Sequence, residues 1–245
     1  RDISDRKQRK QRTEVLSQIR ELFSQPGDLS EALESCLQKI LSTSPYQLAE
    51  VWLQKSGTPL LYRAAYALTD PDLQAFASAE QTPVVLKKGQ GLPGRVWQSQ
   101  QPEYWDEVAQ HPLFLRQQEA QHAGLQVAYG LPLQDQETVL GVLMLASKDR
   151  LHSSSGKIFS LNFGQQLGIE IQRKQLKQEL SQIFHLVPDV LCITDLEGRF
   201  RRVNPAMSAL LGYTESELLQ MRIQDLRDTD ASTDVPERLP TPKNT

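Results

Sequence analysis

The sequence predicts an α+β fold, and three observations support this prediction. Apolar runs with strand composition follow one another across short polar turns, as at residues 126–133 and 138–147. The second of these runs is apolar on both faces, as expected of a central strand. Segments with apolar residues at helical spacing stand before and after the strands. This combination is typical of a sheet flanked by helices.

Length, charge and cysteine content limit the function classes. The 245 residues suffice for one large domain or for one domain with parts of others. Thirty acidic and 27 basic residues give a net charge of -3, so no nucleic-acid partner is expected. The longest apolar run, Val139–Ala146, is shorter than the ~18 residues of a membrane span. Cys36 and Cys192 lie in different predicted domains, which argues against a disulfide framework and fits a reducing, cytoplasmic location.

Residues 1–27 are predicted to form a connector helix that ends at Pro26-Gly27. Its apolar positions recur at helical spacing: Val15, Leu16, Ile19, Leu22 and Phe23. The basic run from Arg6 to Arg12 is interpreted as a solvated face rather than an anion or membrane contact. The opening RDISDRKQ resembles the point where a PAS domain passes into its exit helix. Together with the missing initial methionine, this leads us to expect a fragment of a longer protein with a PAS domain upstream.

The next segment predicts a helix over 28–44, opened by a capping box of Asp28 and Glu31. Cys36 lies on its apolar stripe, so we expect a buried thiol rather than a nucleophile or a chromophore attachment site. Strands follow at 47–54 and 60–68, joined by a turn at 55–59. A short surface helix over 71–79 then leads towards a third strand.

The stretch Val84–Val108, VVLKKGQGLPGRVWQSQQPEYWDEV, organises the chain. It predicts an extended run, a glycine-rich turn, a helix at about 92–100, and an aromatic strand. Its glycines match the G-x-G-x-x-G spacing of dinucleotide sites, which also requires a long helix and an acidic residue about 20 positions further on. Pro102 ends the helix early, and Pro93 lacks the N–H that a phosphate would use. A nucleotide site is therefore not expected.

The same stretch resembles the centre of a GAF domain, a sensory module of bacterial signalling proteins. The strand end G-L-P-L, within 126–133, and the core strand V-L-G-V-L-M-L-A-S, within 138–147, resemble that family as well. With its flanks the resemblance covers 29–172, and we place the GAF domain at 28–172. It implies a central antiparallel sheet with helices on one face and loops enclosing a pocket on the other. Residues 109–124 are expected to cover one face and to be helical in their second half.

The resemblance also separates the known GAF chemistries. Reduction of free methionine sulfoxide needs several clustered cysteines, and this region contains only Cys36. The cyclic-nucleotide class has an N-K-x-F-D-E type signature where this chain has Ser147–His152, SKDRLH. Covalent bilin attachment needs a pocket-side cysteine, and none occurs between Pro45 and Leu191. We therefore predict no catalytic residues. The four histidines do not cluster in sequence, so no metal site is predicted either.

A small-molecule pocket would be built from the central stretch and the segment before residue 126. The candidate ligand-binding residues are Trp97, Tyr104, Phe114, His122 and Tyr129. The alternative for Trp97 and Tyr129 is an ordinary place in the core. No cofactor is evident, but His122 lies near the position of the axial histidine in haem-binding GAF sensors, which makes haem the cofactor alternative. The polar residues at 117–121 instead favour a solvated histidine.

A long helix is predicted over 153–180. Its last part, together with the next few residues, forms a helical linker that we place at 173–184. Its apolar positions follow a heptad-like spacing: Ile169, Leu176, Leu180, Ile183 and Val187. The N-terminal helix carries a similar apolar stripe. Helices at both ends of a sensory domain predict a homodimer formed through these segments.

Residues 185–226 resemble the first half of a PAS domain. The expected features are strands at 190–195 and 199–203, a helix opened by Asn204-Pro205 and ended by Gly212, and a capping box of Thr214 and Glu217. The cysteine motif of flavin-binding PAS domains is missing at 219–223. The segment 227–245 is polar and proline-rich, and a flexible tail is expected.

Together these features predict a non-catalytic sensory and dimerisation input region of a signal-transduction protein. The resemblance implies a two-component sensor histidine kinase as the most frequent context. A cyclic-di-GMP or cyclic-nucleotide enzyme is the less frequent one. A haem or other cofactor sensor centred on His122 is the competing class.

Overall fold

The computed structural model describes residues 14–55, 57–78, 85–135, 138–151 and 159–226. The chain divides into two compact units, Arg1–Lys177 and Gln178–Thr245. The basic run 6–12, the RDISDRKQ match, the start of the helix predicted from 153 and the tail 227–245 lie outside the described residues. Within the described ranges, no helix combines the length and apolar character that a bilayer span requires.

The first unit is built on a six-stranded antiparallel sheet. Its strands are β1 (Leu48–Gln54), β2 (Leu61–Leu68), β3 (Val85–Leu86), β4 (Glu103–Asp106), β5 (Val127–Asp135) and β6 (Thr138–Ser147). Their order in the sheet is β3-β2-β1-β6-β5-β4. Strand β6, apolar on both faces, lies between β1 and β5 near the middle of the sheet, as its composition predicts.

Helices flank the sheet, and the predicted α+β class is confirmed. They are α1 (residues 14–24), α2 (Leu29–Ser42), α3 (Gln74–Ser78, after a 3-10 turn at Pro71–Leu73), α4 (Gly91–Ser99), α5 (Gln117–His122) and α6 (Leu161–Leu186). The predicted start of α2 is confirmed, because the Asp28 carboxylate accepts the Glu31 N–H at 2.8 Å. Helix α6 continues through the predicted linker 173–184.

Strand alternation separates two cores. On one face of the sheet, Ala49, Val51 and Leu53 of β1 pack with residues of α1, α2 and α6. On the other face, Leu48 and Trp52 pack with α3, α4 and the segment that follows β4. The N- and C-terminal helices predicted on one face are thus confirmed, but short helices, α3 and α4, also cover the opposite face, where only loops were predicted. The opposite face carries the features described below.

Helix α6 lies very close to β5 through two glycines one turn apart. A Cβ on Gly164 would stand 2.2 Å from the Pro132 carbonyl oxygen, and one on Gly168 would stand 2.7 Å from the Gln134 nitrogen. Polar contacts join α6 to the N-terminal helix region: Lys174 Nζ donates to the Gln25 carbonyl at 2.7 Å. The ends of the GAF-like segment are therefore held together on one face.

The second unit contains the end of α6, a hairpin and two short helices. These are β7 (Cys192–Thr194), β8 (Phe200–Val203), α7 (Pro205–Leu211) and α8 (Glu215–Leu218). Gly212 ends α7 with φ 75°, and Thr214 with Glu217 forms the predicted capping box. The buried Asn204 side chain caps α7 by accepting the Met207 N–H. The two strands are shorter than predicted, and they pair antiparallel.

Candidate functional site

The sheet face opposite the long helices carries a small cavity. Its volume is about 20 Å³, which suits roughly one water molecule. The lining residues are Trp52, Leu86, Gly91, Leu92, Pro93, Phe114, Leu115, Arg116 and Met144. The floor is therefore sheet, one wall is the first turn of α4, and the cover is the segment before α5. We call residues 107–116 the cover segment.

Two glycines of the central stretch, Gly91 and Gly94, allow the first turn of α4 to pack closely against its neighbours. Gly91 has φ 60°, and a Cβ there would stand 3.1 Å from Leu115 Cδ1 of the cover segment. A Cβ on Gly94 would stand 2.3 Å from the Lys87 carbonyl oxygen. Since the left-handed conformation and the short approach both favour glycine, the G-x-G-x-x-G spacing has a packing explanation.

A fully buried carboxylate, Glu50, lies on the same face of β1 as Leu48 and Trp52. It accepts hydrogen bonds from Trp52 Nε1 at 3.0 Å and from Arg63 Nη1 at 3.2 Å. Arg116 Nη2 donates to both of its oxygens, at 3.1 and 3.3 Å. A buried charge is strongly unfavourable unless it is paired and hydrogen-bonded, and these contacts supply that pairing.

Both arginines also bind the end of α3. Arg116 Nη1 donates to the Phe76 carbonyl at 3.3 Å, and its guanidinium lies 4.0 Å from the centroid of the Phe76 ring. Arg63 Nη1 donates to the Ala77 carbonyl at 2.7 Å. Such a cation-π contact in a desolvated place contributes about 2 kcal/mol. Glu50, Arg63 and Arg116, here called the buried charge cluster, therefore join two strands, α3 and the cover segment.

Comparisons with known proteins agree with this architecture. A family model described as GAF domain matches residues 27–161, more than half of the chain. The chain belongs to the GAF domain family. A family model described as PAS domain matches residues 178–243. GAF and PAS domains are sensory modules, so the chain is a signalling input region. A comparison with curated protein sequences finds no match.

Several solved structures resemble the GAF domain of this chain. The A. aeolicus nlh2 GAF domain in an inactive state is 16% identical, with a TM-score of 0.55 over 68% of this chain and 99% of that one. The GAF domain of a phosphoenolpyruvate-protein phosphotransferase from Coxiella burnetii is 18% identical, with a TM-score of 0.54 over 69% and 96%. Free methionine-R-sulfoxide reductase from Neisseria meningitidis, in complex with its substrate, is 15% identical, with a TM-score of 0.53 over 68% and 91%. At these identities the likeness shows the fold alone.

Two of the predicted ligand residues lie on the cavity side of the GAF domain. Phe114 lines the cavity and stacks on Phe76 with ring centroids 6.5 Å apart. Trp97 is buried in the same core, and Lys88 Nζ lies 5.0 Å from its ring centroid. Trp97 is not part of the cavity lining, so its placement fits the core alternative.

Tyr104 and Tyr129 lie on the opposite, helix-covered face. The β4–β5 register pairs them directly, and their side chains pack against the helix-side core. Tyr129 Oη donates to the Phe159 carbonyl at 2.7 Å, and Tyr104 Oη donates to the Leu151 carbonyl at 2.6 Å. Burial raises the pKa of Tyr104 to about 12, and Asp106 adds to this shift. The predicted set is therefore not brought together, because strand alternation turns these two residues away from the cavity.

His122 is the last residue of α5 and is exposed. It does not line the cavity, and a volume of about 20 Å³ has no room for a porphyrin. The residues around the cavity therefore do not fit haem in this conformation.

His111, in the middle of the cover segment, was not predicted as a site residue from the sequence. Its ring stacks on Trp105 with centroids 3.8 Å apart, and its Nδ1 accepts the Leu113 N–H at 3.3 Å. Partial burial lowers the pKa of His111, the nearby Arg95 lowers it further, and Glu103 opposes them. The neutral ring is thus part of the structure that holds the cover.

The GAF domain's cysteine does not offer reactive chemistry. Cys36 is completely buried, as its position on the apolar stripe predicts, and burial raises the pKa of its thiol. An accessible thiolate is therefore not available there. Within the part of the chain that the structure describes, no group of three His, Cys, Asp or Glu side chains is placed to hold a metal ion.

Sequence reasoning missed the buried charge cluster. One indication was available. Glu50 interrupts the apolar strand LAEVWLQ at a position that strand alternation places on the same face as Leu48 and Trp52. Arg116 gave no such indication, because it stands 66 positions from Glu50 in a polar segment.

Proposed function

We propose that this chain is the sensory and dimerisation input region of a two-component sensor histidine kinase, located in the cytoplasm. The GAF domain would respond to a small ligand or a protein partner, and α6 would carry the response towards the following PAS-like unit. The succession of a GAF match and a PAS match supports this arrangement. A cyclic-di-GMP or cyclic-nucleotide enzyme is the alternative output.

The observation that carries the proposal is the exposed apolar seam of α6. Leu176, Leu180 and Ile183 are 52%, 65% and 58% exposed, at heptad-like spacing on one helix. Large apolar side chains in such a row favour burial against a second helix. A parallel copy of α6 supplies a matching seam, because a dimer axis along the helix pairs each position with itself.

The relay depends on how α6 is attached to the GAF domain. Gly164 and Gly168 bring the helix against the β5 backbone, and Arg20 forms an ion pair with Glu170 at 3.5 Å. A small shift of β5 on ligand binding would therefore move α6. In a dimer this movement biases two packings of the seam helices, which is a two-state equilibrium.

Equilibrium sedimentation tests the dimer. We expect the wild-type chain to sediment as a dimer and the double variant Leu180→Glu/Ile183→Glu as a monomer, because buried like charges would face each other across the seam. The matched control Gln182→Glu places one added charge at an exposed polar position and should remain dimeric. A monomeric wild type at high concentration would rule out the seam.

Two further assays test the output and the cofactor. The full-length protein incubated with labelled ATP should acquire an acid-labile phosphohistidine; cyclase activity without phosphorylation would instead support the alternative output. The absorption spectrum of the purified chain should lack a Soret band. A Soret band lost in His122→Ala would replace our proposal with a haem sensor.

A further inference from the structure

We propose that the cavity of the GAF domain binds a small apolar carboxylate, whose charged group is recognised by Arg116. This inference rests on the proposed sensory function and specifies the chemical class of the ligand. It is carried by the lining of the cavity, the balance of charge around it, and the exposed side chain that closes it.

The lining is apolar except at one point. Eight of the nine lining residues are apolar or glycine, and Arg116 is the charged one. The walls include the large side chains of Trp52, Phe114 and Met144. Pockets of this kind orient an apolar ligand through a few polar groups. A matching ligand therefore has an apolar body and one charged end.

The charge balance selects an anion. Among the residues that the structure describes, two guanidinium groups of the buried charge cluster face one carboxylate, that of Glu50. The segments 85–95 and 113–117, which supply most of the lining, contain Lys87, Lys88, Arg95 and Arg116 and no acidic residue. Arg95 is paired with Glu103 and Arg116 with Glu50, each at 3.1 Å, so the excess comes from Lys87, Lys88 and the second guanidinium on Glu50, that of Arg63. A cationic ligand would meet net repulsion.

Helix α4 adds to the same sign of potential. Gly91 and Leu92, in its first turn, line the cavity. The N-terminus of a helix carries a partial positive charge that favours a nearby anion. An arginine is also suited to a carboxylate, because its planar fork matches the two oxygens.

The cover sets the size of the ligand. The cavity of about 20 Å³ accommodates little more than a water molecule, so an aliphatic chain requires one side chain to move. Leu115 is the candidate, since it lines the cavity while being 48% exposed, and its Cδ1 lies over Gly91. Phe114, stacked on Phe76, is the fixed wall. Short carboxylates are therefore favoured.

Binding would exchange one carboxylate for another at Arg116. The ligand would accept N–H groups that Glu50 now accepts, while Glu50 keeps Trp52 Nε1 and Arg63 Nη1. Arg116 would keep its contacts with Phe76 at the end of α3, so the exchange would loosen the cover segment from β1 alone. This gives the sensory domain two states that a ligand can distinguish.

Isothermal titration of the full chain with three probes of equal carbon number tests the class. Propionate, propionamide and propylamine share a carbon skeleton and differ in charge. We expect propionate to bind at least tenfold more tightly than propionamide, and propylamine to bind more weakly than either. Equal binding of acid and amide, preferential binding of the amine, or binding of none would overturn the proposal.

Two substitutions that break the same ion pair separate recognition from stability. Glu50→Gln should tighten propionate binding several-fold, because it removes the internal competitor. Arg116→Gln should abolish binding. A purely structural role of the pair would weaken binding in both variants, and that result would contradict the proposal.

A third variant keeps the test decisive if Arg116→Gln does not fold. Leu115→Ala removes an exposed side chain from the cover and should shift the preference from propionate to longer acids such as pentanoate. An unchanged chain-length preference would contradict the cavity as the site. Failure of all carboxylates with a dimer retained in sedimentation would overturn the ligand class alone, whereas a monomeric wild type would overturn the proposed function.

Discussion

Glu50 is a charge on a strand face where apolar residues would be expected, and its energetics depend on its partners. Two arginines and one indole N–H satisfy its oxygens. Replacing a buried ion pair by apolar residues is often neutral, whereas removing one partner leaves an uncompensated charge. At the residue scale, this asymmetry makes the buried charge cluster a sensitive point in the GAF domain.

Arg116→Met should reduce the free energy of unfolding by roughly 3 kcal/mol, because Glu50 stays buried with Arg63 as its remaining cation. Urea denaturation followed by circular dichroism measures this change. The control is Arg95→Met, since Arg95 is 43% exposed in its pair with Glu103; its cost should stay below about 1 kcal/mol. Equal costs for the two variants would show that burial of the cluster is not important for stability.

His111 should make the stability of the GAF domain depend on pH. Partial burial and then the nearby Arg95 lower the pKa of His111 in the folded protein below the ordinary histidine value of 6.5, while Glu103 opposes them. Between the two pKa values the unfolded chain binds more protons, so the free energy of unfolding is highest above 6.5 and falls as the pH drops through the folded pKa.

The matched variant is His111→Asn, whose side-chain oxygen can accept the Leu113 N–H without titrating. Denaturation at several pH values between 7 and 5 should give a smaller loss of stability in this variant than in the wild type. Identical pH profiles would mean that His111 does not contribute.

At the scale of elements, the contact between α6 and β5 is set by the absence of side chains. Gly164 lies opposite the Pro132 carbonyl and Gly168 lies opposite Gln134. Glycine is unfavourable in a helix, so two glycines one turn apart indicate a packing requirement. The close approach lets residues of α6, such as Leu167 and Ile171, enter the core between α6 and the sheet.

Gly164→Ala should therefore destabilise the GAF domain, although alanine is the better helix former by about 1 kcal/mol. The new methyl group would overlap the Pro132 carbonyl oxygen, and overpacking of this kind costs about 1–3 kcal/mol. We expect a net loss of about 1 kcal/mol in thermal unfolding. Lys177→Ala, at an exposed position of the same helix, should change stability by less than about 0.5 kcal/mol. An increase in stability for Gly164→Ala would contradict the packing explanation.

At the scale of the whole molecule, the chain has two compact units, and each has a polar centre of its own. In the first unit this is the buried charge cluster. In the second it is Asn204, which is 1% exposed and makes four hydrogen bonds. These bonds tie the segment 187–191, which connects α6 to β7, to the start of α7 within that unit.

Asn204→Ala should lower the stability of the second unit by about 2–3 kcal/mol, since it removes a helix cap and leaves four buried or partly buried backbone groups without this partner. Amide hydrogen exchange should show reduced protection of residues 185–226 and unchanged protection of β5 and β6. Asn204→Asp keeps the cap oxygen, but it buries a carboxylate against the Val187 and Asp189 carbonyl oxygens, so its effect should be at least as large. Loss of protection in β5 and β6 would contradict separate stability of the two units.

The sequence by itself determined the elements whose causes are local. The apolar periodicity of α2, the Asp28 cap, the doubly apolar β6 and the Thr214–Glu217 capping box depend on neighbouring residues, and the structure confirms them. The GAF family was also accessible, because its motifs are contiguous stretches of chain. Burial of Cys36 followed from its place on one helix face.

The tertiary structure alone decided which side chains share the site. Tyr104 and Tyr129 are aromatic like Phe114, but the β4–β5 register places them on the other face of the sheet. Arg116 meets Glu50 only because the cover segment folds back over β1. Such contacts depend on strand register and on chain reversal over long separations, and neither is encoded in a local pattern.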